Sequence, residues 1–371
     1  MKIFIAIFLL SFSHLYAQEI DHVTLNYSVE YNQSNKYIVS KIAIELQEFI
    51  KKQTFESWIT DDFFLMHSNQ EFIKNLSYGS ELNFQPTILA ITPLENNDLE
   101  YIVKVGFINS LDERFYINSI YSIIAVAQEG NEVVKFKNIF AYNLEKLEKT
   151  TIEEASFYHH KEFMFDEFEA SLFVAYNKRI AKFFDSSPIS FDFITCENYD
   201  ECMRILGYDI EINMFGANKI GSITYPGYKL ILSGNNKSSN IHELIHLYTY
   251  QRNPYRNSIL DEGLAVFFGG SKGYDFNYHI ASLKEHLKEN DIDIVQQLFY
   301  DNYVIDENTS LKYTMGGVIT KLLLQKGGKD LFLEVFMYSD SNESLIEKLE
   351  EVLQIDKSEL NQYFKNYLQK I

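Results

Sequence analysis

Apolar residues recur at helical spacing in one early segment and alternate with polar residues in the segments that follow it. Residues 34–54 carry apolar side chains three or four positions apart, which predicts an amphipathic helix. Alternation of apolar and polar residues predicts strands with one buried face. Such strands are predicted over residues 87–92, 100–109, 116–128 and 132–142. The first part of the chain is therefore expected to be a helix followed by an antiparallel sheet.

This order of elements resembles the cone-shaped fold of the nuclear-transport-factor-2 kind. The resemblance rests on element order alone and implies no function. A short charged stretch at residues 143–154 is the predicted end of this unit. We therefore expect an N-terminal α+β accessory domain over residues 18–150.

Residues 151–371 show a different pattern, in which helical spacing dominates. It is found at residues 165–184, throughout the segment after Asn235, and in the amphipathic closing segment 358–371. Two short apolar runs predict strands at residues 189–195 and 228–233. We expect a mostly helical second domain with a small sheet, so that the whole chain belongs to the α+β class.

The first 17 residues have the pattern of a secretory signal peptide. Lys2 precedes an apolar run over residues 3–10, and Ala17 precedes a polar residue. The alternative is a buried N-terminal strand. The eight apolar residues are too few to cross a bilayer, which takes about 20. We expect a signal peptide at residues 1–17 and a mature protein without a membrane span, exported to the periplasm or the extracellular space.

The charge balance excludes some partners. The chain has 371 residues, 33 of them basic and 52 acidic, and a net charge of -19. Nucleic acids and anionic membranes are bound by clustered positive charge, so neither is an expected partner.

The two cysteines, Cys196 and Cys202, form either a short local disulfide or two free buried thiols, and they lack the further cysteines of a metal site. The oligomeric state is left open.

Residues 242–246 read His-Glu-Leu-Ile-His within a segment of helical pattern. Residues four apart lie on one face of a helix, so His242 and His246 can bind the same metal ion. Glu243 beside them can reach a water at that ion without being a ligand. The polar residues 238–240 can cap the start of the helix. The alternative is a helix with one buried and one solvated histidine.

A catalytic zinc site usually has three protein ligands and an open fourth position. Glu262 follows His246 by sixteen residues, on a second predicted helix that begins near Leu260. The sequences His-Glu-Leu-Ile-His and Asp-Glu-Gly-Leu-Ala, the latter at residues 261–265, resemble those of the gluzincin metallopeptidases, the thermolysin-like and peptidase-MA-like group. The resemblance covers residues 152–371 and includes Tyr-Thr-Met-Gly-Gly-Val at residues 313–318.

This resemblance implies that His242, His246 and Glu262 bind one Zn²⁺ per chain and that Glu243 is the general base. Glu243 would take a proton from the zinc-activated water and pass it to the leaving amine of a peptide or protein substrate. Tyr313 is the candidate donor to the oxyanion. The alternative is that Tyr313 is an ordinary core tyrosine.

The sequence departs from the family pattern in two places. Val266 stands where thermolysin-like enzymes carry an aspartate that orients a ligand histidine, so another residue such as Asp261 is expected in that role. The Gly-x-Met-Glu-Asn sequence of the aminopeptidase branch is missing, which favours endopeptidase activity. The strand at residues 228–233 is expected either to offer its edge to an extended peptide or to be purely structural.

The remaining histidines carry less information. His159 and His160 are interpreted as packing or surface residues, and His279 and His286 as solvated residues on a helix. The leading hypothesis is thus an exported zinc-dependent peptidase with an N-terminal accessory domain. The alternatives are a catalytically silent binding protein of the same fold and a structural protein in which the histidine motif is accidental.

Overall fold

The computed structural model describes residues 23–31, 36–52, 55–59, 84–95, 97–111, 114–128, 133–214, 221–299 and 303–371. The proposed signal peptide lies outside these residues. Within them the chain forms 12 helices and two mixed sheets, which confirms the predicted α+β class. Two compact units are distinguished, one within Met1–Lys146 and Met203–Ala217 and the other within Leu147–Cys202 and Asn218–Ile371.

The described strands are β1 (Thr24–Leu25), β2 (Gln85–Leu94), β3 (Asn97–Leu111), β4 (Arg114–Ala127), β5 (Val134–Asn138), β6 (Glu148–Ile152), β7 (Ala155–His159), β8 (Phe191–Thr195), β9 (Tyr208–Glu211), β10 (Gly221–Tyr225) and β11 (Leu230–Gly234). The described helices are α1 (Tyr27–Tyr31), α2 (Lys36–Lys52), α3 (Phe140–Leu144), α4 (Glu167–Phe183), α5 (Tyr199–Leu206), α6 (Ile241–Arg252), α7 (Ser258–Gly269), α8 (Phe276–Glu289), α9 (Ile294–Gln297), α10 (Leu311–Tyr338), α11 (Asn342–Leu353) and α12 (Lys357–Lys370). Helix α10 is interrupted at Gly327 and Gly328.

The sheet of the first unit has the strand order β1-β2-β3-β4-β5, and β9 also pairs with β4. All its pairs are antiparallel except β1 with β2, which are parallel, so the expected antiparallel sheet is in fact mixed. Trp58 packs between Phe49 of α2 and Phe136 of β5, with ring centroids 5.4 and 5.8 Å away. The predicted helix and the buried faces of the long strands are confirmed.

The strand predicted over residues 132–142 is too long. It ends at Asn138, and the following residues begin helix α3. The side-chain oxygen of Asn138 accepts a hydrogen bond from the backbone N–H of Phe140, 2.5 Å away. Such a local side-chain bond turns the backbone away from the sheet ladder.

The sheet of the second unit has the order β10-β11-β8-β7-β6. The inner pairs β11–β8 and β8–β7 are parallel, and the outer pairs β10–β11 and β7–β6 are antiparallel. Of the two alternatives for residues 228–233, the structure supports the purely structural strand, because β11 pairs with β10 on one side and with β8 on the other. In the described part of the chain, β10 itself is at the edge of this sheet.

One cluster of buried side chains joins this sheet to the helices that follow it. Phe157 and Phe193 of the sheet belong to the same core as Leu244 of α6, Leu264 of α7 and Met315 of α10. The predicted helical character after Asn235 is confirmed by helices α6 to α12. None of the helices in the described segments is long and apolar enough to cross a membrane.

Candidate metal centre

Helix α6 presents two histidines on one face. Its N-cap is Asn240, one of the predicted capping residues, whose side-chain oxygen accepts from the backbone N–H of Glu243 at 3.3 Å. His242 and His246 follow one turn apart, with ring centroids separated by 5.0 Å. The opposite face of the helix, with Leu244, is buried in the core.

Helix α7 brings Glu262 to the same place. It begins at Ser258, close to the predicted start, and is capped by the side chain of Asn257. Glu262 Oε2 lies 3.3 Å from His242 Nε2 and 3.8 Å from His246 Nε2. One donor atom from each of the three residues lies within 4.8 Å of the other two. The structure therefore brings together the three side chains that the sequence singled out as ligands.

Each histidine is held through the ring nitrogen that faces away from Glu262. His242 Nδ1 lies 2.7 Å from the backbone oxygen of Gly270, and His246 Nδ1 lies 3.0 Å from Asp261 Oδ1. Both partners are acceptors, so Nδ1 carries the proton in each ring and Nε2 is left for a metal. Asp261 thus has the orienting role that the sequence suggested for it. The other histidine, His242, is supported by the Gly270 carbonyl rather than by a residue at position 266.

Asp261 is itself held from three sides. Besides His246, it accepts a hydrogen bond from Thr249 Oγ1 at 2.6 Å and forms an ion pair with Arg256 Nε at 2.8 Å. Burial alone would raise the pKa of Asp261, but His246, Arg256 and Thr249 lower it below its ordinary value. The carboxylate is therefore ionised at neutral pH and orients the imidazole by charge as well as geometry.

The donor set fits a zinc ion. Glu262 Oε2 is buried and receives no aligned hydrogen bond in the described residues, despite the two nearby histidines. A buried carboxylate oxygen without a donor is costly unless a cation is bound beside it. Two imidazole nitrogens and one carboxylate oxygen are the ligands of a catalytic zinc with one open position.

The charges around these ligands also favour a cation. Burial would lower the pKa of His246, yet the carboxylates of Asp261 and Glu262 raise it to about 10. Burial would likewise lower the pKa of His242, and the Glu262 carboxylate beside it raises it above the ordinary value. The raised pKa values show that the surroundings of both histidines are negatively charged. A divalent cation bound there would neutralise this charge in place of the protons.

A cleft of about 980 Å³ opens over these residues. Its walls include strand β10, the loop at residues 269–275, Glu243 and Tyr313. Burial, followed by the nearby Glu262 carboxylate, raises the pKa of Tyr313. Tyr313 therefore keeps its proton at neutral pH. It packs partly against the core and also lines the cleft.

The other histidines lie apart from the centre. His159 is buried and stacks on Phe165 at 4.7 Å between ring centroids, and His160 forms an exposed ion pair with Glu201, as a packing or surface role predicts. His286 is half-buried, with Nε2 3.0 Å from the Tyr303 hydroxyl, so it is not simply solvated.

The prediction that His279 is solvated is wrong. Only 2% of its surface is exposed. On α8 it packs against the loop at residues 269–275, which lines the cleft. Its Nε2 lies 3.2 Å from the Ser271 backbone oxygen, and its Nδ1 lies 3.3 Å from Thr309 Oγ1. His279 therefore holds the loop that carries Gly270.

Cys196 and Cys202 are both buried and free, so of the two alternatives for them the structure has two free thiols and no disulfide.

Several contributors to the site were missed in the sequence, including Thr249 and Arg256, which hold Asp261. Two more are the Gly270 carbonyl and Thr224 of β10, whose Oγ1 donates to Glu243 Oε2 at 2.5 Å. The closely spaced glycines at residues 269, 270 and 273 signal a turn after α7. Nothing in the local sequence marks a backbone carbonyl or a single threonine as part of a metal centre.

No protein-family model matches the chain, and no curated protein matches it either. The functional conclusion therefore depends on the residues and geometry of the centre itself.

Proposed function

We propose that this protein is a zinc-dependent peptidase of the gluzincin type, with endopeptidase activity favoured. The observation that carries the proposal is the convergence of His242 Nε2, His246 Nε2 and Glu262 Oε2, with Glu243 in the same cleft. His242, His246 and Glu262 would hold the zinc. When bound, zinc would lower the pKa of a water molecule and polarise the scissile carbonyl.

The side chains around the ligands would perform the proton transfers. Glu243 lines the cleft next to the ligands, where it would accept a proton from the attacking water and return it to the leaving amine. The Tyr313 hydroxyl keeps its proton, because its pKa is raised, and it would donate a hydrogen bond to the developing oxyanion. The raised pKa of Tyr313 supports its role, because the phenol keeps the proton that it would share with the oxyanion.

Strand β10 supports a peptide or protein as the substrate. Four of its residues, from Gly221 to Thr224, line the cleft beside Glu243. In the described residues β10 pairs only with β11, so its other edge can form backbone hydrogen bonds with an extended chain. We also propose that the protein acts after export to the periplasm or the extracellular space, as residues 1–17 suggest.

The test compares the purified protein with its Glu243→Gln variant. Zinc per chain is measured by elemental analysis, and cleavage is measured on a reduced, unfolded protein substrate. We expect about one zinc per chain in both proteins and a fall in kcat of roughly 10²- to 10⁴-fold in the variant, the typical contribution of a general base. A Glu285→Gln variant is the matched control, because Glu285 is exposed and its ion pair among the described residues is with Lys288.

Two results would contradict the proposal. Zinc binding without cleavage of any substrate would favour a catalytically silent binding protein instead. The absence of bound zinc from the parent protein would contradict every metal-based function.

Removal of zinc by a chelator should abolish cleavage, and added zinc should restore it.

A further inference from the structure

The carboxylate of Glu243 is held by strand β10. Thr224 Oγ1 lies 2.5 Å from Glu243 Oε2. An ionised carboxylate only accepts hydrogen bonds, so the hydroxyl is the donor. The short distance is typical of a hydrogen bond strengthened by charge. In the described part of the chain this is the one hydrogen bond that the Glu243 side chain receives, which makes Thr224 its principal restraint.

The strand is fastened to the helix that carries Glu243. The side-chain amide of Asn240 donates to Ser222 Oγ at 2.9 Å and to Ser233 Oγ at 2.8 Å, while its oxygen caps α6 through the Glu243 N–H. Ser222 and Thr224 are two apart on β10, so they point to the same face of the sheet. One face of the edge strand is therefore fixed against the first turn of α6.

The Thr224 hydroxyl acts on one of the two Glu243 oxygens. Oε2 accepts its hydrogen bond, and Oε1 accepts none from the described residues, so Oε1 is the freer oxygen to take a proton from water in the cleft. A carboxylate without this bond would rotate about its terminal torsions, which have broad and shallow preferences. Fixing one oxygen therefore reduces the disorder of the other.

We propose that Thr224 is a positioning residue that holds Glu243 in its proton-accepting orientation. This inference rests on the proposed peptidase function, in which Glu243 is the general base. Thr224 itself exchanges no proton with the substrate. Thr224 orients the general base and does not bind the peptide. Its loss should therefore lower kcat and leave KM unchanged.

Two substitutions separate the hydroxyl from the shape of the side chain. Thr224→Val keeps the β-branched form that suits a strand and removes the donor, whereas Thr224→Ser keeps the donor and removes the methyl group. With a fluorogenic peptide as the probe, we expect Thr224→Val to lower kcat by roughly 10- to 100-fold with KM within about twofold of the parent. Thr224→Ser should stay within about threefold in kcat.

Equal impairment of the two variants would show that the methyl group, not the hydroxyl, is required, and would overturn the inference. A loss confined to KM, or full activity of Thr224→Val, would overturn it as well. Thermal unfolding and bound zinc should be the same in both variants, which separates positioning from misfolding.

A second readout does not depend on activity. In crystals of the metal-free variants, the Glu243 carboxylate should leave its position in Thr224→Val and keep it in Thr224→Ser. An unmoved carboxylate in Thr224→Val would overturn the inference even if the proposed function holds. If the parent binds zinc and cleaves nothing, the proposed function fails, and the crystal comparison still decides whether Thr224 fixes Glu243.

Discussion

At the scale of single residues, each of the two histidines of the candidate centre has a second group behind it. His242 is supported by the Gly270 carbonyl, His246 by Asp261, and Asp261 in turn by Thr249 and Arg256. These partners fix the tautomers and ring orientations before any metal binds. Supports of this kind commonly contribute one to two orders of magnitude to metal affinity.

We therefore expect Asp261→Asn to weaken zinc binding by about 10- to 100-fold. The amide has the size of the carboxylate but lacks the charge that stabilises the ligand histidine and pairs with Arg256. The measurement is a competition between the protein and a chelator of known zinc affinity. Asp293→Asn is the matched control, because Asp293 only caps α9. Equal zinc affinity of Asp261→Asn and the parent would show that Asp261 does not support the centre.

The residues found from the sequence and those missed differ in where their partners lie. His242 and His246 are one helical turn apart, so their convergence is a local property of any helix. Gly270 and Thr224 act on residues 28 and 19 positions away along the chain. Contacts of that kind depend on how the elements pack, which no local spacing encodes.

At the scale of elements, the geometry of the centre depends on a close crossing of α7 and α10. Gly263 and Gly316 face one another there, and a Cβ atom added at Gly263 would lie 2.2 Å from the carbonyl carbon of Gly316. Gly263 directly follows the candidate ligand Glu262, and Gly316 lies one turn after Tyr313. The absence of side chains at the crossing therefore allows Glu262 and Tyr313 to share one cleft.

Gly263→Ala should destabilise the protein by about 1–3 kcal/mol, the usual cost of overpacking a core. The added methyl group would meet the backbone, which has little freedom to move. Denaturant unfolding of the zinc-free protein measures the change. Gly227→Ala is the control, because the nearest atom there is the Tyr250 hydroxyl at 3.2 Å, the end of a side chain. Unchanged stability of Gly263→Ala would contradict a tight crossing.

Strand order was less predictable than strand position. Strand β3 alternates in burial over residues 101–105, as the period of its sequence predicts, whereas β4 is buried on both faces over residues 121–125. Strand β10 is half-buried at all five positions, so it shows no alternation and was missed. Without β10 in the prediction, the choice between a free edge and a purely structural strand at residues 228–233 stayed open. Burial by a helix on one face and a cleft on the other removes the signal that a half-buried strand normally gives.

At the scale of the whole molecule, the chain does not pass simply from one unit to the next. Residues of Met203–Ala217 belong with the first unit, although the segments before and after them belong with the second. Strand β9 of this segment pairs with β4. Pairing between strands so far apart in sequence has no local signature, because it depends on the assembled sheet. The complete candidate centre lies within the second unit.

Few of the acidic residues behind the net charge of -19 belong to the candidate centre. Of the 52 acidic residues, Glu243, Asp261 and Glu262 have positions that explain a chemical function. The others supply a general negative charge that favours solubility. No function is proposed for the first unit.

The most direct test of the centre is a crystal of the full chain grown with zinc, with anomalous diffraction data collected at the zinc absorption edge. We expect one anomalous peak about 2.0–2.2 Å from each of His242 Nε2, His246 Nε2 and Glu262 Oε2. The Nδ1 atoms of both histidines should keep their bonds to Gly270 and Asp261. A peak located elsewhere, or no peak at this position with zinc in excess, would contradict the proposed metal centre.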